Sequence, residues 1–320
     1  SAAGHDSRVV YYWEDDGSFN QSPGTPSDST AKTFGANIEV TTLEGSNNAL
    51  RVFGDPTSRE ATNVIEQNFE GSVSVEFTLT NPWWAQFIFG DFESSGSSPT
   101  THTPTDSVPK TGHIIVGQEQ ADNERTLTGV YFTSATISTQ VPGEARVSLE
   151  GAYADEENST TLTETQQTTS QRPLMFHQGE VSVGGNTKSL VQSVQVSIEN
   201  NIDGIGEVGS RFWVDYSPKV RAVTLNYGDI VDDETELHRM YGGSTAPGAT
   251  VENTDSATVA FNNGKSGSNK NSFSVDMTLS FPDTYARSGT GNPEADLEGD
   301  ITEVVGQVDC TAENNSSSAV

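Results

Sequence analysis

Apolar and polar residues alternate with a period of two along most of this chain, which predicts strands with one face on a core and the other in water. Val73, Val75, Phe77 and Leu79 oppose Ser74, Glu76 and Thr78. Phe273, Val275, Met277, Leu279 and Phe281 oppose Ser274, Asp276, Thr278 and Ser280. Val194, Val196 and Ile198 oppose Ser193, Gln195, Ser197 and Glu199. Shorter candidates lie at Asn37 to Thr42, Gly129 to Val141, Ala145 to Tyr153, Val220 to Tyr227 and Ile301 to Val308. The fold class is mainly β and antiparallel.

Two stretches break the alternation with a helical pattern. In "NPWWAQFIFG", Asn81 is placed as N-cap and Pro82 at the first helical position; Trp83, Trp84, Phe87 and Ile88 form a stripe closed by Gly90. In "DDETELHRMYGG", Asp233 and Glu236 form a capping box ahead of Leu237, Met240 and Tyr241, and Gly242 is the stop. Phe92 to Asp122, Asp155 to Arg172, Gly243 to Lys270 and the tail from Thr311 are rich in Ser, Thr, Gly, Asn and Pro. They read as surface loops carrying little core.

The two helix-closing glycines are 152 residues apart (242 minus 90), close to half the chain. Each half runs strand, a loop with paired asparagines, strand, turn, strand, helix, glycine. The asparagines are Asn47 and Asn48 in one half, Asn200 and Asn201 in the other. We read two copies of one β-rich domain, 1–172 and 173–320. Each is expected to be a sandwich or partial barrel of two antiparallel sheets with a short flanking helix.

Charge narrows the function. Across 320 residues there are 16 basic and 45 acidic side chains, a net charge of −29. Such a field repels phosphate backbones, and the scattered lysines offer no basic patch, so tight nucleic-acid binding is disfavoured. Acid excess with scarce lysine suits molar salt, where the Debye length falls to about 3 Å and self-repulsion becomes tolerable. No apolar run approaches a membrane span, Ser1 to Arg8 lacks a signal-peptide core, and no membrane association is expected.

Candidate chemistry is sparse. Gly204, Gly206 and Gly209 have the spacing G-x-G-x-x-G, but a strand pattern follows where a dinucleotide site needs a helix N-terminus, so they are expected to shape a hairpin. "NNGKSGS" lacks the first glycine of a phosphate-binding loop. His5, His102, His113, His177 and His238 have no metal-ligand spacing. The lone Cys310 has no intrachain partner. Neither a catalytic residue nor a metal or cofactor is called. Two alternatives stay open: a lectin-like or capsid-like sandwich, with Trp83 or Trp84 as a sugar platform, and a glycoside hydrolase using two of the many carboxylates.

At "QRPLMFHQGEVSVGG", "SVQVSIENNIDG" and "KVRAVTLNYGDIVDDETELHRMYGG" the order of features resembles the major tail tube proteins of long-tailed, siphovirus-like viruses. The opening "VVYYWED", Gly35 before the first strand, and the closing "SFSVDMTLSF" and "DITEVVGQVD" complete the likeness. With the acid excess, a haloarchaeal virus is implied. The resemblance implies a structural virion protein whose inner sheets continue from subunit to subunit into a closed barrel, stacked as rings into a hollow tail tube. It further implies assembly in the host cytoplasm, contacts with tape measure and tail-terminator proteins, and viral DNA passing through the lumen without specific binding. Duplicated chains should form a ring of three with approximate sixfold symmetry; without duplication the ring holds six. Ser193, Gln195, Ser197 and Glu199 are the candidate lumen-facing residues. Trp83, Trp84, Phe87, Ile88, Leu237, Met240 and Tyr241 are the candidate core or assembly helices.

Overall fold

The computed structural model describes residues 7–15, 18–23, 31–52, 63–97, 99–105, 107–118, 123–159, 172–188, 191–229, 254–280, 303–304 and 309–314. In chain order the strands are β1 (Ser7–Trp13), β2 (Ala36–Ser46), β3 (Ala49–Val52), β4 (Asn63–Glu66), β5 (Glu70–Thr78), β6 (Phe92–Ser95), β7 (Thr100–Pro104), β8 (Gly112–Gln118), β9 (Asn123–Gln140), β10 (Arg146–Tyr153) and β11 (Asp155–Ser159). They continue as β12 (Gly179–Val183), β13 (Asn186–Thr187), β14 (Val191–Glu199), β15 (Asp203–Gly206), β16 (Trp213–Ser217), β17 (Ala222–Asp229), β18 (Thr254–Asn262), β19 (Ser272–Ser280), β20 (Glu303–Val304) and β21 (Asp309–Asn314). One helix, α1 (Gln86–Phe89), follows a 3-10 turn over Trp83–Ala85.

Two large antiparallel sheets face each other and curl into a half-barrel. The first runs β2-β5-β10-β9-β14-β17 along the C-terminal half of β9, while β8 and β11 flank its N-terminal half and β1 joins β8. The second runs β13-β12-β18-β19-β21-β7-β6. β9 spans eighteen residues and changes neighbours near Gly129, whose φ of +60° is open to glycine without a Cβ clash. The kink leaves the Gly129 N–H without a ladder partner, and the buried Glu14 carboxylate accepts it at 3.1 Å.

The apolar face of each alternating strand enters one shared core. Val73, Val75 and Phe77 of β5, Ala135 and Ile137 of β9, Val147 and Leu149 of β10, and Val194, Val196 and Ile198 of β14 meet Val259, Phe261, Phe273 and Val275 of the second sheet. Trp84 bridges the layers, its ring centroid 5.7 Å from Phe77 and 5.5 Å from Phe273. The helical stretch exists as the pattern indicates, with Asn81 Oδ1 accepting the Trp83 N–H at 3.2 Å and Gly90 turning the chain at φ +86°. With its 3-10 first turn it is only seven residues long, Trp83 to Phe89, and ends at Gly90.

Neither large sheet divides at residue 172. The first sheet takes β14 and β17 from beyond that point, and the second takes β6 and β7 from before it. Four stretches expected to be loops also contribute strands. Phe92 to Asp122 holds β6, β7 and β8, and Ile114 of β8 is fully buried. Asp155 to Arg172 opens with β11, and Gly243 to Lys270 contains β18 with Ala257, Val259 and Phe261 buried. The tail from Thr311 enters β21, where Ala312 is buried. β6, β7 and β11, of four or five residues, give too few alternations to stand out from loop composition, whereas nine-residue β18 alternates but carries the small Ala257 in its buried row and lies in a Ser-, Thr- and Asn-rich stretch.

Candidate functional site

Ser193, Gln195 and Glu199 are exposed and Ser197 half-buried, all on the face of β14 opposite Val194, Val196 and Ile198. That face continues in register across six strands. One row reads Thr224 (β17), Ser197 (β14), Thr136 (β9), Ser148 (β10), Glu76 (β5), Glu39 (β2). The next reads Ala222, Glu199, Ser134, Glu150, Ser74, Thr42. Only Thr136 and Ser197 are linked across strands by their hydroxyls, at 3.4 Å, among the side chains of these two rows for which bonds are described.

Charge on this face is lopsided. Glu39, Glu76, Glu150 and Glu199 stand against Arg146, which pairs with Glu76 at 3.0 Å. The described surface is hydroxyl-rich and net negative. Among the described residues no group of three or more His, Cys, Asp or Glu is placed to hold a metal ion.

A second feature is repeated within the same sheet. β2 and β5 pair around a two-stranded hairpin, β3·β4, and β14 and β17 pair around another, β15·β16. Their registers correspond: Ser46, Gly45 and Leu43 oppose Glu70, Gly71 and Val73, as Glu199, Ile198 and Val196 oppose Ala222, Val223 and Leu225. Counterparts lie 152 residues apart on β5 and β17 (222 minus 70) and 153 apart on β2 and β14 (199 minus 46). The paired asparagines close both hairpin roots, Asn48 O accepting from the Gln67 N–H at 2.7 Å and Asn201 Nδ2 donating to Val220 O at 2.9 Å. The G-x-G-x-x-G glycines belong to the second hairpin: a Cβ on Gly204 would meet the Trp213 ring at 2.7 Å, and Gly209 sits at φ +104°.

The first-half helix is finished by second-half residues. Ile88 O accepts from Asn200 Nδ2 at 3.0 Å and from Arg221 Nη2 at 2.9 Å, and Arg221 also lies over the Phe89 ring. Trp84, Phe87 and Ile88 are buried. Trp83 is half-buried under Lys32 and against His102, so the two tryptophans form no paired sugar platform. Leu237, Met240 and Tyr241 lie outside the described residues, as do His5 and His238.

Two residues without a sequence signal carry electrostatic strain. Glu14 and His113 are both buried, with Nε2 3.9 Å from Oε1, too far for a hydrogen bond. Burial raises the Glu14 carboxyl above its ordinary range, against lowering hydrogen bonds from Thr111, Gln21, Gly129 and Asn20. Burial lowers His113 from 6.5 to about 4, so the neutral imidazole is held. Glu14 reads locally as one more acid in "YYWEDD", and its kink-satisfying role appears only when β9 is laid beside it.

Among curated proteins no match is found. The described residues form a continuous two-sided sheet, polar on one face and apolar on the other. The chain matches the family described as phage tail tube protein over residues 4–312 and belongs to it, a structural protein of the virion tail and not an enzyme, whose copies assemble into a tube.

Proposed function

We propose that three copies of the chain close into a ring of approximate sixfold symmetry, that rings stack into the tail tube, and that the polar face of the first sheet lines a bore for the genome. Each copy then contributes two tube units, one built on β2·β5 and the other on β14·β17. The observation that carries this reading is the matched register of those pairs around equivalent hairpins, together with the pairing of β14 onto β9. That seam joins one unit to the next by main-chain hydrogen bonds, which is how an open sheet removes an edge that would otherwise aggregate. Repeating the seam between copies closes the sheet around an axis, with β2, the counterpart of β14 and the end of the six-strand path among the described strands, offering its second edge for the joint. Sharing of strands between the halves is compatible with fusion of two units that once met across a chain boundary.

Ser193, Gln195, Ser197 and Glu199 are assigned to the bore, with Glu39, Glu76 and Glu150 on the same wall. Carboxylates spaced among hydroxyls repel DNA phosphates at short range, and Arg146 on the same wall is paired with Glu76. The same assignment puts a tape measure protein in the bore before ejection and terminator proteins at the tube end. The charge of −29 supports a host in molar salt, a haloarchaeon, and the order of sequence features supports a siphovirus-like tail. Native mass spectrometry of rings released from tubes, with negative-stain imaging in molar salt, tests the stoichiometry. Three chains per ring are expected; six would assign one unit to each chain, and isolated globules at high concentration would overturn the ring altogether.

A further inference from the structure

One unit-to-unit contact is already present within the chain. Arg211, beyond the tip of hairpin β15·β16, reaches back to the root of hairpin β3·β4: Nη1 meets Glu66 Oε2 at 3.0 Å, Nη2 meets Asn47 Oδ1 at 3.0 Å, and Nε donates to Gln67 O at 3.2 Å. The Phe69 N–H donates to Arg211 O at 2.8 Å, and the Phe69 and Phe212 rings lie 6.0 Å apart. The second hairpin therefore docks in the root of the first. The root of the second hairpin is an open groove lined by Glu199, Asn201, Ile202, Asp203, Lys219 and Val220.

The repeat indicates what fills it. Shifting Arg211 back by the 152 residues that relate β17 to β5 gives Arg59, and Ser210-Arg211 becomes Ser58-Arg59, the same dipeptide. We propose that the groove between Glu199–Asp203 and Lys219–Val220 receives Ser58-Arg59 of a second copy of this chain, repeating between copies the contact that Arg211 makes within one. The inference rests on the two-unit reading above. The acceptors change with position: Glu66 corresponds to Pro218, so the carboxylate opposite the incoming guanidinium comes from Glu199 at the groove rim. Lys219 pairs with Asp203, and Arg221 is turned toward the neutral acceptors Ile88 O and Asn200 Oδ1. Val220 is 84% exposed at the groove, an apolar side chain that a docked copy would cover.

The test is a disulfide between copies. In a Cys310→Ser background, Ser58→Cys with Val220→Cys is assembled in molar salt, oxidised and run on a non-reducing gel. Cross-linked dimers and trimers are expected, with yield lost when Ser58→Cys and Val220→Cys are separated onto different, unmixed preparations. Arg59→Glu should reduce tube yield at least tenfold without changing the circular dichroism of the unassembled chain, and Arg59→Glu with Glu199→Arg should restore part of it. Tubes that form with no cross-link, or with Arg59→Glu unimpaired, overturn the groove assignment and leave the tube intact. Failure of the parent chain to assemble at all overturns both.

Discussion

At the residue scale, burial sets the demands. Burial lowers the His113 pKa from 6.5 to about 4, so its contribution to stability is complete above pH 6.5 and lost as pH falls toward 4. Glu14 has the opposite sign, since its raised carboxyl stabilises the fold below the ordinary 4.5 and loses that contribution as pH rises through its folded value. His113→Phe should flatten the acid-side fall of Tm between pH 6.5 and 4, which amounts to up to about 3 kcal/mol in the parent. Thermal melts across that range check it, and an unchanged fall would assign acid sensitivity elsewhere. Gly35 carries a steric demand: a Cβ there would lie 2.3 Å from Thr78 O and 2.7 Å from the Phe77 ring. Gly35→Ala should therefore cost about 1–3 kcal/mol as the strand and core shift, read from urea midpoints of the unassembled chain. The glycine ahead of the first long strand was legible in the sequence, but its reason was not, because Thr78 is brought beside it only by the pairing of β2 with β5.

At the element scale, the two faces of β14 divide the work. Ile198→Ala should cost about 2–5 kcal/mol through the core cavity, whereas Gln195→Ala should change stability by about 0.5 kcal/mol or less, both measured by urea unfolding. Equal costs would contradict a polar outer face. The alternation that makes this assignment was readable for β5, β14 and β19, each nine residues long with a clean period of two. The sequence placed a strand at Gly129 to Val141, yet β9 begins six residues earlier and continues through the kink. Asn123 to Thr128 was missed because its polar residues pair with β8 and β11 away from any simple inside-outside pattern. β8 was missed for a different reason: "HIIV" is a continuous apolar run, with no alternation to read. The helix at Trp83 was legible from Asn81, Pro82 and Gly90, although the 3-10 first turn was not.

At the scale of the whole molecule, the matched β2·β5 and β14·β17 pairs were foreshadowed by the paired asparagines, the glycine spacing ends on Gly242 outside the described residues, and the sharing of sheets between halves was not visible. Strand partners separated by fifty residues or more, such as Ser197 and Thr136, leave no mark in a single sequence. Charge acts at this scale too. Moving the chain from molar salt to about 0.1 M lengthens the Debye length from about 3 to about 10 Å, so 45 acids against 16 bases begin to repel across the surface. Tm and tube yield should both fall on that dilution, and equal values in both buffers would remove the halophilic reading. The bore is the claim on which the functional reading turns, and a cryo-EM map of the assembled tube tests it most directly. Three chains per ring, with Ser193, Gln195 and Ser197 facing an open axial channel and Glu199 on the same wall beside the joint between copies, is the expected result; the Ser193–Ser197 face buried against another subunit, or turned to the outside of the tube, would contradict it.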